Sequence, residues 1–112
     1  MFVLKKRDSY SWPVKFRIAV DGRYEDHKFT AEFKRLPQDR LDQVFGSNRK
    51  ADISDDAFVR EILIGWSDIS DESGDALPFN GDNVATLLLV PGVRTAIIKA
   101  YFDSIAGIAE KN

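Results

Sequence analysis

The chain has 112 residues, 44% of them hydrophobic and 30% charged, which suits one domain that buries roughly two-thirds of its unfolded surface. Its 16 basic and 18 acidic side chains leave a net charge of −2, so no overall field draws it to nucleic acid or to an anionic membrane. Cysteine is absent, which excludes disulfides and thiolate metal sites.

The segment Met1 to Lys6 is too short and too quickly charged for a secretory signal. The longest uncharged apolar stretch, Val84 to Val93, falls well below the about 20 residues of a membrane span. A cytosolic location is the expectation. Phe2, Val3 and Leu4 suggest a short strand, and Lys5-Lys6-Arg7 reads as its solvated end, too small a patch for nucleic acid.

Val14, Phe16, Ile18 and Val20 then alternate with Lys15, Arg17 and Ala19, the period of a half-buried strand. Pro13 suits a strand start or an edge. Asp21-Gly22 is a turn signal, and Phe29, Ala31 and Phe33 alternate with Lys28, Thr30, Glu32 and Lys34. The two runs form an antiparallel pair with one apolar and one charged face. Asp21 to His27 reads as a connection longer than a two-residue turn. His27, the single histidine, falls in that loop with only Glu25 and Asp26 near it in sequence, so a surface role is expected. A lone hairpin is marginal in water, and its apolar face must cover helices or pair with a second copy.

Leu36-Pro37 ends the β-rich part, residues 1–36, and residues 37–112 read as helical within the same domain. Gln38 to Phe45 is a short helix presenting Leu41, Val44 and Phe45, closed by Gly46-Ser47-Asn48, and Arg49 to Asp52 is a polar connector. Ser54 is an N-cap, with Asp55 and Asp56 at the positive end of the helix dipole and Ile53 and Phe58 spaced as a hydrophobic staple. Phe58, Val59, Ile62, Leu63 and Trp66 share an arc of about 140° on a helix, with Ile64 off it. The helix is therefore expected to run to Gly65-Trp66. Asn80 repeats the cap, with Phe79 and Val84 as a second staple, and the helix through Leu87, Leu88, Leu89 and Val90 is expected to be nearly enclosed. Pro91 ends it and can start the last helix. That helix carries Val93, Ala96, Ile97, Ala100, Tyr101, Ser104 and Ile105 at amphipathic spacing, a Lys99–Asp103 pair, and a stop at Gly107 before a frayed Ile108 to Asn112. Ile98 and Phe102 form an extra apolar strip, so this helix is expected either to be sandwiched by a second contact within the molecule or to lie in an interface.

The whole suggests an α+β domain: an N-terminal antiparallel sheet packed on about four short C-terminal helices. Its organising stretch is 62–79, a rigid corner between two helices with an indole at its start and a phenyl ring at its end. Asp68, Asp71, Glu72 and Asp75 crowd its turn. Asp71, Ser73 and Asp75 match the first ligands of a calcium loop, but Ala76 stands where such a loop needs glycine and Asp82 where it needs glutamate. No histidine, lysine nucleophile or phosphate cradle accompanies the carboxylates, so neither a catalytic set nor a cofactor site is expected. Trp66 and Phe79 fit a core corner or a partner-binding pocket. Candidate partner-binding residues are Trp66, Phe79, Ile98, Phe102, Phe16 and Phe33.

Several phrases, in order, resemble the tail assembly chaperones of long-tailed bacteriophages. They are Thr30-Ala31-Glu32-Phe33-Lys34-Arg35-Leu36, Ile64-Gly65-Trp66-Ser67-Asp68-Ile69, Asp71-Glu72-Ser73-Gly74 and Leu77-Pro78-Phe79. Leu88-Leu89-Val90-Pro91-Gly92-Val93, Ala100-Tyr101-Phe102 and Glu110-Lys111-Asn112 continue the match, which runs from about Phe2 over nearly the whole chain. The resemblance implies a non-enzymatic protein that binds the tape-measure protein, keeps it soluble and helps recruit tail-tube subunits. It also implies self-association as a homo-oligomer, action in the host cytoplasm, absence from the mature virion, and a short form beside a frameshifted longer one. It carries over no residue roles. The competing expectation is a small structural tail or head–tail connector subunit that stays in the particle.

Overall fold

The computed structural model describes residues 2, 4, 8–45 and 53–107. Lys5-Lys6-Arg7, the Gly46-Ser47-Asn48 turn, the Arg49–Asp52 connector and the Ile108–Asn112 end lie outside the described residues. Phe2 and Leu4 are exposed and belong to no strand.

Strands β1 (Ser9–Val20) and β2 (Arg23–Lys34) form an antiparallel hairpin joined by Asp21-Gly22 alone. Both turn residues have positive φ, 48° and 80°, the signature of a type I′ turn, whose twist matches that of the flanking strands. The expected long connection is therefore corrected. Arg23 to His27 is strand, because each residue pairs with β1 although its own pattern is polar. His27 consequently sits on a strand opposite Phe16, not in a loop. Twelve residues at about 3.3 Å each make a ribbon close to 40 Å long, and the molecule's longest extent is 44 Å. Pro13 lies within β1, on the sheet's edge. Counting by twos from the closing Val20–Arg23 pair places Pro13–Thr30 among the non-hydrogen-bonded pairs, so the missing N–H faces outward and costs no ladder bond.

Directly opposed residues share a face of the sheet. One face carries Trp12, Val14, Phe29, Ala31 and Phe33 and is covered by the helices; the other carries Lys15, Arg17, Asp26, Lys28 and Glu32. Helix α1 (Gln38–Phe45) contributes buried Val44 and half-buried Leu41. Helix α2 (Asp55–Ile62) starts as its sequence demands: Ser54 Oγ accepts from Ala57 N–H at 3.1 Å, and Ile53 and Phe58 both pack into the core. Arg40 of α1 clamps Glu61 of α2 through two N–H···O bonds of 2.8 and 2.7 Å. Hydrogen bonding to Arg40 holds the Glu61 carboxyl below its usual value and raises the Arg40 guanidinium in turn.

Helix α2 does not reach Trp66. It ends at Ile62, and Leu63–Ser67 forms a third strand, β3, on the free side of β2, giving the order β1-β2-β3. The reason lies in a bulge. Phe33 pairs with Leu63 and Glu32 with Gly65, which leaves Ile64 as the extra residue, exposed on the outside. Leu63 and Trp66, three apart, then both face the core, as they would on a helix. The division into a β-rich 1–36 and a helical 37–112 is amended accordingly.

Helix α3 (Gly81–Leu88) is capped by Asn80, whose side chain accepts from Asn83 N–H at 2.9 Å, with Val84 and Leu88 buried. It is not enclosed: Leu89, just past its end, is 81% exposed. Pro91 does not begin the last helix either. Gly92 at φ 88°, a conformation costly for other residues, caps α4 (Val93–Ala106), and the chain bends by 101° between α3 and α4. No single helix among the described residues is long and apolar enough to cross a membrane. Helix α4 lies across β1 with Val93, Ile97, Ala100 and Tyr101 buried, and ends at Gly107 as expected.

Tyr101 joins these layers. Its ring meets Phe33, Phe58 and Tyr10 at centroid distances of 5.1, 5.9 and 6.3 Å. Its hydroxyl donates to Lys34 C=O at 2.9 Å and accepts from Leu36 N–H at 3.2 Å, where the chain leaves the sheet. Ser104 Oγ gives its proton to Tyr101 C=O at 2.6 Å, so Tyr10 O–H must donate to Ser104 Oγ, also at 2.6 Å. Burial pushes the Tyr101 phenol from its ordinary 10.0 up to about 12.

Tyr101→Phe is expected to lower unfolding free energy by about 1–3 kcal/mol in a urea titration, since two buried backbone groups lose their partner. Because the phenol is raised in the folded state, its contribution is fully present below pH 10.0 and is lost as pH rises through about 12. The stability difference between wild type and Tyr101→Phe should therefore shrink over that window and be flat below it.

Candidate partner-binding surface

The corner after β3 is built by backbone. Asp68 adopts a positive φ of 67° and its carboxylate accepts from Thr30 Oγ at 2.9 Å, fixing the exit from the sheet. Leu77 N–H then donates to Ile69 C=O at 2.8 Å, and Ser70 bridges Ala76, so 69–77 folds back on itself. The Asp71 carboxylate accepts from Ser73 N–H and Asp75 N–H at 2.9 and 3.0 Å. This carboxylate holds the turn together and is occupied by it.

The fold-back brings Trp66 and Phe79 together. The indole N–H donates to Leu77 C=O at 2.8 Å, and the two rings meet edge to face with centroids 4.8 Å apart. Trp66 is half-buried against the core, while Phe79 keeps 39% of its surface open. Trp66 thus anchors the corner and Phe79 forms its outer lip.

Ile98 is half-buried and packs against the core, and Phe102, beside it on α4, is 46% exposed. With Asp55, Thr95 and Lys99 they line a shallow groove of about 310 Å³. A larger depression of about 710 Å³ adjoins it, sharing Asp55 and Thr95 and running under Leu89, Val90 and Pro91 at the α3–α4 bend. Charge at its rim is mixed: Arg60 pairs with Asp56 at 2.9 Å, and Arg94 stands nearby. Ile105, expected in the core, is 38% exposed and extends the same strip.

The remaining two candidates separate. Phe16 is half-buried on the hairpin, stacked on His27 at 5.6 Å and edge-on to Phe29 at 6.2 Å. Phe33 is fully buried between Tyr10 and Tyr101 and offers a partner no surface; its role is to bind sheet to helices. The six residues therefore form three places, the Trp66–Phe79 corner, the Ile98–Phe102 strip and the Phe16 ribbon, plus one core position. Leu89 and Ile105 were missed as surface residues, because an apolar run carries no mark of which side chain follows the last turn of α3 or lies at the rim of the buried face of α4.

Among the described residues no side chain nitrogen or oxygen is buried without a partner, and no group of three or more His, Cys, Asp or Glu is placed to hold a metal ion. The displaced titrations trace to structural contacts: Tyr10 and Tyr101 are raised by burial, and Glu32 is lowered by hydrogen bonds from Ser9 and Ser11. The smaller groove offers apolar contact, whereas the larger depression sets Leu88, Leu89 and Val90 among the charged and polar groups of Asp55, Asp56, Arg60 and Arg94. Comparison with protein-family models, with curated proteins and with solved structures finds no match to this chain.

Trp66→Ala is expected to cost about 3 kcal/mol, since a large half-buried ring, its hydrogen bond and its aromatic contact all go. Phe79→Ala should cost less, about 1 kcal/mol, because much of that ring already meets water. Chemical denaturation of both variants checks the order.

Proposed function

We propose that this chain is a non-enzymatic tail assembly chaperone of a long-tailed bacteriophage, acting in the host cytoplasm on the tape-measure protein and helping tail-tube subunits gather around it. Two independent features support this reading. The ordered phrases from Thr30-Ala31-Glu32-Phe33 to Glu110-Lys111-Asn112 resemble that family along nearly the whole chain. The exposed apolar surface is the observation that carries the physical side of the argument. Leu89, 81% exposed, projects beside a groove of about 710 Å³ at the α3–α4 bend. With Phe79 and Phe102 also open to solvent, Leu89 supplies apolar surface of the kind a holding protein uses to receive apolar segments of its client.

The rim explains how such binding can remain reversible. Charges of both signs line the larger depression, so a client segment docking beside Leu89 meets apolar and polar contacts together and is not locked by a buried ion pair. Trp66, tied to Leu77, is the fixed wall of the corner, and Phe79 is its accessible ring.

Co-expression with the tape-measure protein of the same genome tests the proposal. The tape measure should become soluble and copurify, and Leu89→Asp should reduce the recovered complex by about tenfold or more while leaving the chaperone folded. An insoluble tape measure with no complex, together with recovery of this chain in purified particles, would favour the structural-subunit reading.

A further inference from the structure

We propose that the side of β2 from Tyr24 to Lys28 receives an extended segment of a partner polypeptide, which adds to the sheet as a strand in line with β3. The inference rests on the pairing and side chains of the sheet and does not use the functional reading above.

The pairing leaves this side open. Alternation from the closing Val20–Arg23 pair gives β1 the backbone groups of Arg23, Glu25, His27 and Phe29. Those of the residues between them point the other way. β3 takes up Thr30 and Glu32, opposite Ser67 and Gly65. It goes no further, because Asp68 at φ 67° turns the chain out of the sheet. Tyr24, Asp26 and Lys28 keep one outward N–H and one outward C=O each, paired with no strand among the described residues. All three residues are exposed. The opposite edge, on β1, carries Pro13 against a newcomer, whereas this stretch has neither a proline nor a bulge.

The neighbours define what fits. An antiparallel arrival runs in the direction of β3, and its residues oppose Lys28, His27, Asp26, Glu25 and Tyr24 in turn. At Lys28 it meets a cation whose cross-strand neighbour is Lys15, which suits a carboxylate. At His27 it meets a ring stacked on Phe16 at 5.6 Å, and an aliphatic side chain extends that stack. Asp26 is already bound to Arg17 at 2.9 Å, so an uncharged polar residue belongs opposite it. Opposite Glu25 the newcomer lies on the face of half-buried Ile18, again suited by an aliphatic. Tyr24, 69% exposed, offers its ring to an aromatic. The ligand therefore reads acidic, apolar, polar, apolar, aromatic. A hollow of about 490 Å³ lies at the same stretch, lined by Lys15, Phe16, Arg17, Asp26, His27 and Lys28.

A second copy of this chain is a poor occupant. In an antiparallel two-fold pairing of β2 with itself, all three outward residues are matched only when Asp26 opposes Asp26, like charge on like. Shifted one way, Tyr24 meets Thr30, which β3 already holds; shifted the other, Lys28 meets Gly22 in the turn. Only about five residues of a partner segment pair here, so binding is weak, with a Kd on the order of hundreds of micromolar.

Amide hydrogen exchange, read by nuclear magnetic resonance on the isotope-labelled full chain, tests this. In the free protein the N–H groups of Tyr24, Asp26 and Lys28 should exchange fast, and those of Glu25 and His27 slowly. A peptide Glu-Val-Thr-Val-Tyr with blocked ends, at near-millimolar concentration, should slow and shift the first three. Asp26→Pro removes the central outward donor and leaves the ladder to β1 intact, as Pro13 does on the other edge. It should weaken binding by about tenfold or more, whereas Asp26→Ala, which loses the ion pair and keeps the N–H, should bind within about twofold of wild type. Lys28→Glu should reverse the preference toward a peptide that begins with lysine, which keeps the test decisive if Asp26→Pro fails to fold. Slow exchange at Tyr24, Asp26 and Lys28 in the free chain would overturn the proposal. So would a peptide response elsewhere on the molecule or none at all, Asp26→Pro binding as well as Asp26→Ala, or an unchanged preference in Lys28→Glu.

Discussion

The architecture depends on one phenol. Where β2 ends, the chain turns away from the sheet and leaves Lys34 C=O and Leu36 N–H without a ladder partner. The Tyr101 hydroxyl serves both, and its ring fills the space between Phe33 and Phe58. A single residue of α4 therefore satisfies the backbone at the sheet exit and packs the layer above it. Phenylalanine could supply the ring and serine the hydroxyl, but neither could place both about 65 residues along the chain from the groups they serve.

Much of the fold was legible because the relevant chemistry is local. The Ser54 and Asn80 caps are contacts within four residues, and α4 declares itself by apolar residues at i, i+3, i+4 and i+7 along its whole length. The β1 alternation is equally direct. Two features were hidden for a shared reason: their conformation is imposed by a distant partner. Arg23 to His27 has a polar, loop-like pattern and becomes strand because β1 supplies the pairing. Leu63 to Ser67 has helical spacing and becomes strand because β2 offers a free side, the bulge at Ile64 reconciling a three-residue step with a sheet face. Periodicity alone cannot distinguish a helix from a bulged strand over so short a run.

The candidate surface divides along the same line. The Trp66–Phe79 corner was readable from residue type and turn chemistry, since both aromatics flank one compact loop. Phe33 and Phe16 were not separable by type. They differ only in how far along the ribbon the helices extend, and that depends on packing. Leu89 and Ile105 looked like core because their neighbours are apolar, yet one follows the last turn of α3 and the other sits on the rim of α4.

The position of Pro13 has a consequence for how this molecule behaves in a crowd. A long, regular edge strand such as β1 is a template on which other extended chains can add. Its outward-facing backbone groups belong to Ser9, Ser11, Pro13, Lys15, Arg17 and Ala19, by the same alternation that spares the ladder bond at Pro13. Near the middle of that row a donor is missing, and cationic side chains follow at the next two outward positions. A strand arriving from another chain would lose a hydrogen bond at the centre and meet two charged side chains beyond it. The ribbon is thereby blunted against growth at its rim, and β1 does not become the seed of an edge-to-edge aggregate.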